Sequence, residues 1–474
     1  MPLRTDEGYT MASISSGFLL AIKRAVVFEN YPPLYFGLLA IWSIISKSYF
    51  WGRMFSVLSI TGAALLIPEL GKRYLPKVAP VWMVCALSLN PMVIVHQVDM
   101  RCYAFLIFLS AISLILFYDG YLSENPNRKA RWFYILVAVI SLYTHYFSGF
   151  LLAANGAVLV VTQNWKMVKN YLLDMIIPAI ALAALIPFIP GQFENQHHEA
   201  DSGTLGSTII FSIKVVESFL LETDAVSPIP EFLKNSLPLL IAGILLFALT
   251  LNIKELKYFF RSEERYIVII FCCLLLFISA IFFLFGRSVA QLKYIIFLSI
   301  PTIFLFFYAL SLKDRKWMIP VGGGILMTSY FIITPLQFFP PIKTEDYKAV
   351  GAYLEEKAKP GEPILVFENI HELVLKHHYN GQNQLYPFPV EVNLNEAWNH
   401  KKWSLKSNEQ VEMFFKEKIN NPEYFWLVGH EKTINQNVPL NNHYLEEYLA
   451  KNYETLEYKH FRYMINVRYL KKKE

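Results

Sequence analysis

His96-Gln97-Val98-Asp99-Met100-Arg101-Cys102-Tyr103 joins two apolar runs, Ala79 to Val95 and Cys102 to Tyr118, and places two charged side chains between them. Each run approaches the roughly 20 apolar residues that cross a bilayer. Charges inside hydrocarbon are costly unless paired or watered, so a turn at the membrane surface is the reading that accommodates Asp99 and Arg101. The pattern repeats along the chain in Met54 to Leu70, Trp132 to Tyr143, Gly149 to Gln163, Leu172 to Ile189, Leu237 to Leu251, Tyr266 to Phe285, Tyr294 to Leu310 and Trp317 to Leu336. These runs predict about ten transmembrane helices.

Orientation follows from the connections. Gly71-Lys72-Arg73 to Lys77, Arg128-Lys129-Ala130-Arg131, Lys166 to Lys169, Lys254 to Arg265 and Lys313 to Lys316 are all basic, and they alternate with less basic ones. The positive-inside rule assigns these five to the cytoplasm. The turns at Val95 to Arg101, Thr144 to Ser148, Pro190 to Ser236 and Gly286 to Lys293 then face outward, as does everything beyond residue 336. Leu34 to Ser46 is too short and of the wrong parity to be a span, and reads as a helix at the outer interface. This topology leaves Met1 outside, so a transmembrane helix ahead of the first residue is expected to be missing.

Composition agrees with a membrane region followed by a water-soluble one. Hydrophobic residues make up 54% of the 474 and charged ones 17%, against about 25% charged in soluble chains. Residues 337–474 carry 37 of the 81 charged side chains. The expected division is 1–336 as a transmembrane module and 337–474 as a small outer-side α/β domain. In that domain Thr344 to Lys357 reads as a helix, Pro363 to Phe367 and Tyr424 to Val428 as buried strands, and Tyr453 to Tyr458 with Tyr463 to Leu470 as a closing hairpin.

Several functions are excluded. Lys and Arg exceed Asp and Glu by only 43 to 38, too even a balance for a chain that neutralises nucleic-acid phosphates. No G-x-x-x-x-G-K-[ST] loop occurs, and none of the eight aspartates stands two residues from another, so nucleotide-sugar chemistry lacks its usual metal clamp. There is neither C-x-x-C nor H-E-x-x-H. Cys85, Cys102, Cys272 and Cys273 lie in or beside apolar runs and read as small core residues.

What remains is a set of polar groups at the outer ends of apolar runs. Asp6-Glu7-Gly8-Tyr9 offers two adjacent carboxylates, a general base or the holders of a divalent cation. A helix N-terminus with an acidic first turn is the plainer reading, and composition favours it. Asp99 and Arg101 could pair with each other or serve chemistry; the turn Tyr143-Thr144-His145-Tyr146 holds a lone histidine, more often a hydrogen-bonded turn residue than a catalyst. His197-His198-Glu199-Ala200-Asp201 has a metal-binding composition without a ligand spacing. Lys214, Arg287 and Lys293 are outer-side cations, either lipid-phosphate grips or interface anchors.

In order along the chain, Asp6-Glu7-Gly8-Tyr9, Tyr31-Pro32-Pro33-Leu34-Tyr35, His96 to Tyr103, Leu142-Tyr143-Thr144-His145-Tyr146-Phe147, Lys293-Tyr294 and Glu345-Asp346-Tyr347-Lys348-Ala349-Val350 resemble the motifs of membrane glycosyltransferases of the GT-C architecture. The resemblance is to the family 39-like branch, the relatives of protein mannosyltransferases and of the aminoarabinose transferase of lipid A, and covers most of residues 1 to 360. Tyr31 stands where relatives commonly have His, Asp99 where they have Glu, and Lys293 where they have Arg. The last exchanges a forked phosphate grip for a point charge.

The resemblance implies transfer of a hexosyl or pentosyl group from a polyprenyl-phosphate-linked donor to a glycan, lipid or protein acceptor on the outer face of a bacterial plasma membrane, among membrane lipids and without nucleic acid. It implies Asp6 as general base, with Glu7 and Asp99 as further catalytic residues. Arg101, Arg287 and Lys293 would take the donor phosphate, and Tyr9, Tyr31, His145 and Tyr146 would shape the site or orient the acceptor. A divalent cation on Asp6 and Glu7 is the one cofactor left open. Two rivals stand beside this reading. A transporter or lipid flippase would place ionisable residues or broken helices near the bilayer midplane, whereas these charges gather at outer ends. A membrane-anchored binding protein would place its activity in the tail.

Overall fold

The computed structural model describes residues 4–196, 203–222, 236, 243, 263–286, 291–312, 317–338, 345–397, 400–430, 441–462 and 465–474. By internal contacts the chain forms two units: Met1–Asn30, Gly191–Glu199 and Pro341–Glu474 make one, and Tyr31–Pro190 with Ala200–Pro340 the other. Residues 1–30, counted with the apolar region in the sequence reading, thus group with the tail.

The apolar unit is helical. Among the described residues five of its helices are long and apolar enough to cross a membrane: Tyr49–Tyr74, Tyr103–Leu122, Arg265–Phe285, Leu292–Ser311 and Met318–Leu336. Leu65, Leu276 and Phe331 are exposed on three of them, as suits lipid-facing surface. Two further runs form helix pairs instead of straight spans. Pro80–Ser88 and Pro91–Gln97 meet at 57°, and Trp165–Ala183 meets Ile186–Gln192 at 46°.

The first break has a local cause. Pro91 opens the second helix, where its missing N–H costs nothing, and Asn90 caps it by accepting from Val93 N–H at 3.2 Å. The Asn90 amide then donates to Phe219 O at 2.8 Å and to Tyr330 Oη at 3.1 Å. A fully buried amide is therefore satisfied, and the bend is pinned. Pro187 lies at the second break.

Among the described residues the spans number five, or seven if each bent pair counts as one, where the apolar runs predict about ten. Trp132 to Tyr143 and Gly149 to Gln163 form the helices Arg128–Thr144 and Ser148–Val161, 17 and 14 residues long and so at or below the lower limit of a full crossing. Leu237 to Leu251 lies outside the described residues. Leu34 to Ser46 forms a helix over Leu34–Trp42.

The tail unit carries a five-stranded mixed sheet: β1 (Ile364–Phe367), β2 (Leu385–Phe388), β3 (Tyr424–His430), β4 (Tyr453–Phe461) and β5 (Ile465–Lys472), in the order β2-β1-β3-β5-β4. Strand β1 is parallel to β2 and β3, and β5 is antiparallel to β3 and β4. All four residues of β1 are buried, as expected for a strand flanked on both sides in a parallel segment. Leu365, Phe415, Phe425, Leu449 and Leu470 form part of the core on one side of the sheet. The edge strand β4 exposes Glu454, Glu457 and Lys459, charges that discourage edge-to-edge pairing. The helix Tyr347–Lys357 starts where Asp346 accepts from Ala349 N–H. Strand β2 was not read from the sequence.

Candidate active site

In the apolar unit, side chains from four separated segments converge. Tyr31, just ahead of the helix Leu34–Trp42, is buried, and its phenol oxygen lies 2.8 Å from that of Tyr103 at the start of the helix Tyr103–Phe117. The Arg101 guanidinium stands 4.8 Å above the Tyr31 ring, a cation–π geometry strengthened where water is excluded. His145 meets the Tyr31 ring edge-on at 5.6 Å and the Tyr294 ring at 5.3 Å. Lys293 Nζ lies 5.5 Å from the Tyr294 ring centre.

Asp99, 5% exposed, adds the carboxylate. Its Oδ2 lies 3.4 Å from His96 Nδ1, and its backbone carbonyl accepts from Ser56 Oγ at 2.6 Å. The His96 ring packs edge-on against Tyr103 at 4.9 Å. The chain bends to make this cluster: the helix Pro91–Gln97 stops short of Asp99, and the next starts at Tyr103, so the charged residues ride on the turn between them.

His145 ends the helix Arg128–Thr144 in extended backbone conformation. Its Nδ1 accepts from Phe147 N–H at 3.2 Å, which assigns the ring proton of the neutral form to Nε2. Burial, then the nearby charges of Arg101 and Lys293, push its pKa down to about 3. The imidazole is thus a neutral donor through Nε2 at ordinary pH. Burial also holds the Tyr31 phenol protonated, its pKa raised well above the usual tyrosine value. The arrangement is an aromatic-walled site with two cations, one carboxylate and neutral donors, suited to an anion attached to a ring or a hydrocarbon.

Asp6, Glu7 and Tyr9 lie on the helix Thr5–Ile14 of the tail unit. Glu7 is fully buried, and its Oε2 accepts from Arg4 N–H at 3.0 Å in a capping-box arrangement. Glu345, which opens the last motif of the sequence, accepts from Thr5 N–H at 2.8 Å and from the Thr5 hydroxyl. Burial raises the Glu345 carboxyl above the usual range, and Asp6 is among the lesser contributors. The Tyr9 phenol is raised first by burial and then by Asp6, Glu345, Glu368 and Glu29. Asp6 is therefore the half-buried member of a strongly acidic neighbourhood. Among the described residues no three His, Cys, Asp or Glu side chains are grouped as a metal site.

The structure thus brings Tyr31, Asp99, Arg101, His145 and Lys293 into one cluster. Tyr146 follows His145, half-buried. Arg287 and His197 to Asp201 lie outside the described residues. His96, Tyr103 and Tyr294 belong to the cluster although sequence reasoning assigns them no role; each directly flanks a charged candidate or sits within its motif, and that adjacency was the available signal.

No family model matches the chain, and no curated protein matches it. Among solved structures it is similar to ArnT from Cupriavidus metallidurans bound to undecaprenyl phosphate, with a TM-score of 0.62 at 12% identity over 98% of this chain and 92% of that one. The apo state of the same ArnT gives a TM-score of 0.49 at 11% identity, over 99% and 94%. With its apolar spans, the chain is a multi-pass membrane protein, and its fold is like that of the solved ArnT.

Proposed function

We propose that this protein is a membrane glycosyltransferase that moves a sugar from a polyprenyl-phosphate-linked donor to an envelope acceptor on the outer face of a bacterial plasma membrane. The observation that carries the reading is the convergence of Arg101, Lys293, neutral His145 and Asp99 among Tyr31, Tyr103 and Tyr294, within a fold similar to that of an ArnT solved with undecaprenyl phosphate bound.

Arg101 and Lys293, with Arg287 as a third cation, would hold the donor phosphate and stabilise the charge that grows on it as it leaves. Asp6 is the proposed base. It takes the proton of the acceptor hydroxyl while the new bond forms at the anomeric carbon and the bond from that carbon to the phosphate oxygen breaks, releasing the polyprenyl phosphate. Glu7 supports the start of the helix that carries Asp6, or joins it in holding a divalent cation. Asp99 with His96, and Tyr9, Tyr31, His145 and Tyr146, would orient the acceptor. The basic loops support an outer-side position for the tail unit and the site turns.

Mass spectrometry of envelope glycans from cells with and without the protein tests the reading. Loss of one sugar substituent from a glycan, lipid or protein is expected. Identical envelope profiles, with the protein shown to be expressed, would contradict it.

A further inference from the structure

The tail unit contains a groove of about 550 Å³, within the usual range of small-molecule sites. The helix Glu372–His378 forms one wall through Glu372, Leu373 and Lys376; the turn after it and the edge strand β2 form the other. That second wall is fixed. Tyr379 Oη donates to Asn383 Oδ1 at 3.0 Å, while Asn383 Nδ2 donates to the carbonyls of Lys359 and Glu362.

Two carboxylates, Glu372 and Glu391, face this groove with one ammonium, Lys376, 3.5 Å from Glu372. Glu391 is exposed and has no ion-pair partner among the described residues. The local balance is negative, which disfavours anions and favours a ligand rich in hydrogen-bond donors. Leu373, Leu385, Pro387 and Val392 supply apolar surface between these acceptors. A pyranose presents that combination, hydroxyl donors around apolar C–H faces. Burial raises the Glu372 carboxyl above the usual range, Lys376 opposes this and Glu391 adds to it, so donors reaching Glu372 would satisfy a carboxylate that is poorly solvated.

We propose that this groove is a saccharide-binding site that takes a neutral or amino sugar, with Glu372 and Glu391 accepting hydrogen bonds from its hydroxyl or amino groups. The site lies within the tail unit, and binding there does not require that the apolar unit transfer sugar.

The test uses the full chain in nanodiscs without donor lipid, so that an inactive transferase would leave it readable. Saturation-transfer NMR with chitobiose, its deacetylated form and a galacturonic acid disaccharide measures binding. Both glucosamine-based probes should bind and the uronate should not. Glu391→Gln, at an exposed position where substitution costs folding little, should weaken binding roughly tenfold, as should Glu372→Gln. The exposed Glu356→Gln, outside the groove, should leave binding unchanged. Absence of binding by both glucosamine-based probes, equal binding of the uronate, or affinities unaffected by Glu391→Gln and Glu372→Gln would each overturn the proposal.

Discussion

Glu345 accepts two hydrogen bonds from Thr5, one from its backbone N–H at 2.8 Å and one from its hydroxyl, across 340 positions of sequence. The contact ties the first helix of the chain to the start of the tail. It satisfies an N–H that the first turn of a helix leaves without an intrahelical partner, and it sets the position of Asp6, the next residue.

Glu345→Ala should therefore lower the apparent unfolding free energy by about 1–3 kcal/mol, the cost of leaving buried donors unmet. Glu345→Gln retains an acceptor oxygen without a buried charge, and should cost much less. Thermal unfolding in detergent, with hydrogen exchange at the Thr5 amide, compares the two. Equal losses from both substitutions would show that the charge matters and the hydrogen bonds do not.

The Tyr31 and Arg101 pair separates structure from binding. Tyr31→Phe removes the oxygen 2.8 Å from Tyr103 Oη and keeps the ring beneath Arg101, so its effect should be a stability loss of about 1 kcal/mol with donor affinity nearly intact. Arg101→Ala should weaken binding of a polyprenyl phosphate roughly 10- to 100-fold, because a phosphate loses a charge-assisted partner. Lipid binding followed by native mass spectrometry resolves the two variants. Unchanged phosphate affinity in Arg101→Ala would remove Arg101 from the donor site.

His145 should stay neutral from pH 8 down to about pH 4, since its pKa in the folded chain is pushed down to about 3 from about 6.5. Between those values the unfolded chain carries a proton there that the folded chain lacks. Stability at this site is then complete above about pH 6.5 and is lost as pH falls toward 3. Nitrogen-15 spectra of histidine-labelled protein, with His145→Gln to assign the signal, should show Nε2 protonated and Nδ1 bare at pH 6. An imidazolium signal from His145 at that pH would refute the assignment.

Much of the helical plan was legible because long apolar runs have few alternatives: Tyr266 to Phe285 and Tyr294 to Leu310 reappear almost residue for residue as Arg265–Phe285 and Leu292–Ser311. The bend at Asn90-Pro91 was not, since it depends on an amide whose partners, Phe219 and Tyr330, lie far along the chain. Strand β2 escaped because it spans four residues, includes Pro387 and occupies an edge, where proline is tolerated and the alternating pattern is too short to show. In the site, charged residues at turns announced themselves. Tyr103 and Tyr294 did not, because an aromatic residue at a helix end reads equally as an interfacial anchor. Glu345 could be quoted from its motif, but its bond to Thr5 is a tertiary fact that local pattern does not encode.

The topology has its own check. Reporter fusions after Lys473 and within the basic segment Lys166 to Lys169 should report opposite sides of the membrane, the tail outside. A cytoplasmic signal from the tail fusion would reverse the proposed orientation.

The most direct measurement of the central claim is sugar transfer by the purified chain in proteoliposomes, supplied either with a polyprenyl-phosphate-linked sugar or with the matching nucleotide sugar. Transfer is expected from the lipid-linked donor alone. Asp6→Asn, folded and inserted, should reduce turnover about 10²- to 10⁴-fold, the usual worth of a general base, while donor binding changes far less. Transfer from the nucleotide sugar without lipid donor, or an Asp6→Asn variant turning over at the parental rate, would contradict the account.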